Sequence, residues 1–457
     1  MKVFLISANC CTEPYPVFPL GLATIAEALR RAGHTVETFD CLWDDGMEAR
    51  IRAFDPGWVG ISLRNVDNEN SLSEEWYLDD AHKLVSRIRD ASAAPVVLGG
   101  AGFSIMPETI LSHTGADYGI VGEGDQLAVR LTEMLERGGR PCAPLLRQTA
   151  PLGSAEIGAG LCDPQWVARY VANGCSFGIQ TKRGCPHRCV YCSYPSIEGA
   201  TIRAREPEAV AGEVAWLGKH HPDASVFFTD SVFNDGQGLW RNVVDALLRQ
   251  GNRVPWSAYF RPTNLTAEDI ALMKRSGLKS AELGTDAASD TALRGLGKDF
   301  TFAEAEACNR RFSEHAIPVA HFLMFGGPDE TPESIREGIQ NVKRLTNSVV
   351  FPFMGIRILP GTPLRKRAIR DGVIAAKASL LKPAYYLSPA LNGIDLRAEL
   401  AAGFADSSNV VFPPDAMRDL TEALRRMGHG GSLWELLAAA RTRRSRNRQP
   451  SAPAQMS

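Results

Sequence analysis

Gly184-Cys185-Pro186-His187-Arg188-Cys189-Val190-Tyr191-Cys192 is the stretch from which the rest of the chain can be read. Its three cysteines follow a Cys-x3-Cys-x2-Cys spacing opened by a glycine, so one short loop can aim three thiolates at a common centre. Three thiolates suit an iron–sulfur cluster in which one iron stays open for a further ligand. Structural zinc is the competing reading, but it wants four protein ligands, usually as two separated pairs, and only His187 is at hand as a fourth. A disulfide does not fit a chain without a recognisable secretion signal.

A chain of 457 residues has room for two or three domains with cores of their own. Hydrophobic residues at 44% and charged residues at 22% describe an ordinary globular protein. Lys+Arg 50 against Asp+Glu 52 leaves a net charge of -2, with no overall field to draw in nucleic acid or an anionic membrane. That balance points to a small-molecule substrate. No run approaches the roughly 18 to 20 apolar residues of a membrane helix, and the opening MKVFLIS reads as a first strand rather than a signal core. A cytoplasmic protein with no membrane and no nucleic-acid partner is expected. Of the 10 cysteines only Cys308 lies beyond the triplet, which excludes further cysteine-held clusters in the C-terminal half.

Ahead of the triplet, residues 1–135 alternate strand and helix. Strands are expected at 3–7, 35–39, 58–63, 95–100 and 117–121, with helices at 21–31 and 73–89, the pattern of a doubly wound, Rossmann-like parallel sheet. Such sheets bind ligands at their carboxyl ends. Residues 136–172 are rich in Gly, Pro and Ala and read as a linker. Residues 173–385 repeat strand then helix six times, with strands at 177–182, 226–229, 256–260, 280–284, 319–325 and 350–358. Asn264 or Thr266, Thr301 and Thr331 are candidate helix caps. Residues 386–457 form a small α-rich C-terminal segment ending in a basic tail that reads as disordered. The fold class is therefore α/β, a doubly wound domain followed by a partial (β/α)6 barrel of the TIM type.

The cysteine loop resembles the signature of the radical S-adenosylmethionine (SAM) superfamily. The resemblance implies a 4Fe-4S cluster on Cys185, Cys189 and Cys192, with the open iron chelated by SAM and one electron splitting SAM to a deoxyadenosyl radical. It also implies a set of SAM contacts: Tyr191 beside the adenine, Thr229, Asp230 and Ser231 at the second strand end, Arg261, Glu282, Asp286, and Ile358 in the sixth strand. A plain strand-end or helix-cap carboxylate is the alternative for Asp230 and Asp286, and an ion pair for Arg261 and Glu282.

The first domain resembles the cobalamin-binding domain that precedes many radical SAM enzymes. Ser62, Gly99, Gly100, Gly122 and Glu123 match its cofactor side, glycine serving where a bulky ligand approaches the backbone. Residues 64–68, led by Arg64, are expected to face the corrin, with Cys10 and Cys11 near its edge. The loop 8–18 lacks the Asp-x-His-x-x-Gly motif that supplies a cobalt-ligating histidine, so the resemblance implies either cobalamin bound without a protein imidazole, the favoured reading, or a cobalamin fold that has lost its ligand.

Together the two resemblances imply a cobalamin-dependent radical SAM methyltransferase acting on an unactivated carbon in secondary-metabolite or lipid biosynthesis. Ring contraction, cyclisation or oxidation with the same cofactors is the nearest alternative. A non-catalytic sensor holding cobalamin and a cluster is the other. A flavodoxin or ferredoxin would supply the electron.

Overall fold

The computed structural model describes residues 1–12, 15–160, 163–427 and 429–438. The basic C-terminal tail lies outside the described residues. Six strands form the first sheet: β1 (Lys2–Ser7), β2 (Thr35–Asp40), β3 (Trp58–Ser62), β4 (Val96–Gly99), β5 (Tyr118–Val121) and β6 (Leu145–Arg147). They run parallel in the order β2-β1-β3-β4-β5-β6, so the direction of winding reverses between β1 and β3 and opens a crevice at their carboxyl ends. Helix α1 (Leu20–Arg31) buries Leu22, Ala23, Ala26 and Leu29, one stripe of a 3.6-residue period.

Two expectations change here. The stretch 136–172 is not a bare linker, because it contributes the edge strand β6 and a helix, Pro164–Ala172, whose cap Asp163 accepts from the amides of Gln165 and Trp166. The helix expected at 73–89 starts only at Leu78. Before it, the Asn68 side chain accepts from the amides of Asn70 and Glu75 and holds residues 67–76 as a closed turn.

The second sheet takes strands β7 (Ser176–Ile179), β8 (Ser225–Phe228), β9 (Trp256–Phe260), β10 (Leu278–Asp286), β11 (Val319–Phe325) and β12 (Ser348–Met354). All neighbours are parallel and the order follows the sequence, giving an open half-barrel. Thr266, Thr301 and Thr331 each accept from the amide three residues on, as N-caps do. Phe260, Ala281 and Leu283 share one buried cluster with Ile270 and Phe312 of those outer helices. Alternation along the strands therefore turns Tyr259, Glu282 and Phe322 to the concave side. At the low end of that side, residues 434–438 are helical and pack Trp434 and Ala438 on Ala320 and Val349. Glu435 accepts from Ser280 at 2.6 Å.

Buried ion pairs fix one sheet against the other. Arg183, in the loop after β7, reaches Glu123 at 3.0 Å and Asp125 at 3.1 Å, and Arg357 reaches Asp67 at 2.8 Å. Residues 64–68 therefore do not all face a ligand: Asp67 is 2% exposed and consumed by Arg357, Val66 is in the core, and only Arg64 opens onto the crevice. Removing one partner of a buried pair strands the other charge, at a cost of roughly 3–5 kcal/mol. Asp67→Ala is expected to lose stability on that scale in denaturant unfolding; a loss within experimental error would show that the pair does not hold the domains.

Candidate active site

The loop that carries the triplet is pinned at its start by Gly184, whose φ of +90° suits glycine and where a Cβ would lie 2.1 Å from the Thr201 carbonyl oxygen. Cys185 donates its amide to Gly199, Val190 to Leu296, and Cys192 to Cys189, so the loop is folded back on itself by its own backbone. Cys185 is buried and the other two are half-buried. The three thiols are close enough to influence one another electrostatically, and burial pushes the Cys192 thiol up to about 12. Among the described residues no three His, Cys, Asp or Glu side chains converge at the spacing of a single-ion site. His187 is turned elsewhere: its Nδ1 lies 3.2 Å from Arg261 Nη1. Burial, with Arg261 and Lys298 beside it, drops its pKa to about 4.

Lys298 is the residue that sequence reasoning missed. Its Nζ donates to Cys189 Sγ at 3.3 Å and to the Tyr191 hydroxyl at 3.3 Å, and it pairs with Asp286, which also accepts from Tyr191. Burial opposes the ammonium charge, but Asp286 and Cys189 outweigh it and hold the pKa above the ordinary lysine value. Asp286 reaches this group because the β10–β11 register shifts between Leu283 and Asp286 and its φ is +61°. Such bulges and strained residues re-aim side chains next to functional sites. The signal available in the sequence was a lysine just past a short helix after strand four, too common a pattern to single out.

The remaining residues expected around SAM divide. Thr229 Oγ1 and Ser231 Oγ are buried without a hydrogen-bond partner at the end of β8, and Thr229 lines the crevice between the domains. Asp230 between them is 1% exposed and already occupied, accepting from the Thr181 amide at 2.7 Å and pairing with Lys182 at 3.0 Å. It clamps the loop after β7 and has no oxygen left over for a ligand. Arg261 pairs with Asp299, lies over the Phe300 ring and meets His187, so it braces the cysteine loop. Ile358 has its amide on Ala384 and its carbonyl on Arg357, leaving only its side chain for contact. Glu282 lies four residues before Asp286 on β10, roughly 13 Å away along an extended strand, and its perturbing neighbours are Trp434 and Glu435 rather than the cysteine loop.

Between the domains lies a cavity of ≈ 400 Å³. From the first sheet it takes Ser62, Arg64, Gly99, Gly100, Gly122 and Glu123, and from the half-barrel Gly178, Phe227, Thr229 and Tyr259. Gly21 of α1 and Trp58 and Gly60 of β3 also line it. Gly99 presents open space, its nearest atom to an added Cβ being the Ile120 carbonyl oxygen at 3.9 Å. Gly100 serves the backbone instead: its φ is +98° and a Cβ would strike the Leu63 oxygen at 2.4 Å. Glu123 is held mainly by Arg183 and Arg203. Cys10 is exposed beside Cys41, and the loop shows Asn9 to the cavity in its place.

A crevice at a winding reversal beside a half-barrel that carries three thiols is the architecture of a cofactor-dependent enzyme of two domains. Residues 7–132 match the B12 binding domain family and residues 179–342 match the Radical SAM superfamily; the chain belongs to that superfamily, as an enzyme with an N-terminal B12-binding domain. Its cofactors are accordingly cobalamin, SAM and a 4Fe-4S cluster. It is 24% identical over 443 residues to the tryptophan 2-C-methyltransferase of Streptomyces laurentii, covering 78% of this chain and 73% of that protein. It is 22% identical over 345 residues to the anaerobic magnesium-protoporphyrin IX monomethyl ester cyclase of Rubrivivax gelatinosus, covering 70% and 60%. The fold is shared with the radical SAM methyltransferase TsrM from Kitasatospora setae, solved with cobalamin and a [4Fe-4S] cluster, at a TM-score of 0.83 and 23% identity over 98% of this chain and 99% of that one.

The residues present fit these groups. Cys185, Cys189 and Cys192 lie on one folded loop near enough to perturb one another, the donor set a cluster requires, and the buried, unpartnered hydroxyls of Thr229 and Ser231 at the end of β8 are free for a polar ligand. Glycines of α1, β3 and β4 leave the lining open to a bulky ligand, and no histidine lines the cavity among the described residues.

Changing Cys185, Cys189 and Cys192 together to Ala is expected to abolish cluster iron. Lys298→Gln should keep the iron but lower the cluster's midpoint potential, because a charge-assisted N–H···S contact stabilises the more negative, reduced state. Redox titration followed by electron paramagnetic resonance checks both, and an unchanged potential would remove Lys298 from the cluster's surroundings. Gly99→Phe should fill the cavity and prevent cobalamin retention with the fold and cluster intact, whereas Gly100→Ala should impair folding itself. Visible spectra after loading with hydroxocobalamin, set beside circular dichroism, separate the two outcomes.

Proposed function

We propose that the protein is a cobalamin-dependent C-methyltransferase acting on an unactivated carbon of a small molecule. The observation that carries this reading is the single cavity shared by the carboxyl edge of the B12-binding sheet and the concave side of the half-barrel. It gives a corrinoid and a substrate one enclosed space, with Ser62 and Gly99 on one side and Thr229 and Tyr259 on the other. When bound, cobalamin supplies a transferable methyl group and the cluster supplies the electron that cleaves SAM.

The chain's own part is to position and to exclude water. Cys185, Cys189 and Cys192 would hold the cluster. Thr229 and Ser231 offer hydroxyls to SAM, and Lys298 with Tyr191 and Asp286 fixes one edge of the cluster loop. Arg64 would face a bound corrinoid from the cavity wall, and the described lining holds no imidazole that could ligate its cobalt. A flavodoxin or ferredoxin is the proposed electron source, and secondary-metabolite or lipid tailoring the proposed setting. Likeness to methyltransferases supports the reading. A cyclase among the relatives keeps cyclisation or oxidation with the same cofactors as the second reading.

Anaerobic incubation of the loaded enzyme with SAM and a low-potential reductant separates them. One equivalent of S-adenosylhomocysteine per bound cobalamin, formed before any substrate is added, is the expected outcome. 5'-Deoxyadenosine without S-adenosylhomocysteine would favour the second reading.

A further inference from the structure

Below the cysteine loop the half-barrel holds a carboxylate that the site just described does not use. Glu282 stands on the concave face of β10, level with Tyr259 of β9 and Ala320 of β11. It is 8% exposed, and no Lys, Arg or His among the described residues pairs with it. The charge that perturbs it is a second carboxylate, Glu435, and the Trp434 indole N–H faces it without completing a hydrogen bond. An ion buried without a partner is costly. Burial accordingly lifts the Glu282 pKa to about 7, with Trp434 pulling down and Glu435 pushing up.

The walls around this carboxylate are aromatic. Tyr259 flanks it, with Phe227 edge-on to Tyr259 at 4.8 Å. Two residues further along β11, on the face of Ala320, Phe322 is stacked on Phe351 at 5.3 Å. Tyr15, from the loop after β1 of the other domain, is buried with its hydroxyl close enough to feel both Glu282 and Tyr259. Aromatic faces attract organic cations through the ring quadrupole, and a carboxylate completes the match with charge-assisted hydrogen bonds. A neutral molecule could meet only the protonated carboxyl, and an anionic one would be repelled by the ionised form.

We propose that the half-barrel binds its substrate by a protonated amine, with Glu282 accepting from the ammonium and Tyr15, Tyr259 and Phe322 packing on the carbon skeleton. This rests on the reading that the substrate occupies the space between half-barrel and corrinoid, and it names the substrate class as a cationic amine with an aromatic or similarly flat apolar body. The span of roughly 13 Å between Glu282 and Asp286 along the strand places the reacting carbon several bonds from the amine nitrogen. The amine serves as a handle, and the chemistry happens nearer the cluster.

Calorimetric titration of the cobalamin- and cluster-loaded protein tests this without SAM or reductant, so no turnover enters and the result stands apart from the question of methyl transfer. The probes are two matched pairs, tyramine with 4-ethylphenol and 4-phenylbutylamine with 4-phenylbutanol. The expected result is that at least one amine binds about tenfold or more tighter than its uncharged counterpart, as a charged hydrogen bond supplies. Glu282→Gln should erase that advantage while leaving the counterpart's affinity unchanged. Equal affinities within both pairs, no binding by either amine, or an undiminished advantage in Glu282→Gln overturns the proposal. Should Glu282→Gln not fold, infrared difference spectra of the unaltered protein, amine-bound minus free at pH 6.5, decide: loss of one buried carboxyl band is expected against the constant contribution of Glu330, and a difference spectrum without such a loss refutes the assignment.

Discussion

Three buried ion pairs between the domains, Arg183 with Glu123 and with Asp125 and Arg357 with Asp67, are the contacts on which the rest of the arrangement depends. Each sheet could fold with its ligand edge facing water; these pairs turn the edges toward each other and enclose the cavity. Charges taken out of water gain little net stability even when well paired, so their contribution lies in specificity of orientation. A domain rotated away would leave Asp67 and Arg183 buried or stranded without partners. The geometry between corrinoid crevice and cysteine loop is thus set by electrostatic complementarity rather than by apolar area alone.

Much of the fold was legible because it follows from local rules. The apolar strands separated by amphipathic helices, the threonine caps at 266, 301 and 331, and the Cys-x3-Cys-x2-Cys loop each depend on residues a few positions apart. What the sequence did not disclose is how a polar residue is spent. Asp230, Arg261 and Glu123 stand where ligand contacts were expected, and the structure commits most of their hydrogen-bonding capacity to Lys182, Asp299, Arg183 and Arg203. Lys298, Trp434 and Tyr15 were illegible for the converse reason, since each reaches the site from a distant segment that carries no motif. The edge strand β6 was hidden in a Gly- and Pro-rich stretch because it is three residues long and completes a sheet already formed.

The half-barrel grades its chemistry along the strands. At the carboxyl ends sit thiols, Lys298 and the unpartnered hydroxyls of Thr229 and Ser231, suited to ions and polar cofactor atoms. Further down the same concave face the lining becomes aromatic, with Glu282 turned into it beside Tyr259, and the helix at 434–438 closes the low end. Because β-strand side chains alternate, one run of residues on β10 supplies both levels, Glu282 below and Asp286 above, while Leu283 between them anchors the outer helices.

Tyr15 belongs by chain position to the B12-binding domain, yet its ring is buried against the interior of the half-barrel. Substrate choice is therefore not the property of one module. An exchange of N-terminal domains between two members of this group would carry a piece of the substrate wall along with the corrinoid site, and a chimaera could keep both cofactors while losing its preferred molecule. In a lineage that diversifies by recombination, that coupling makes the two domains inherit and diverge together.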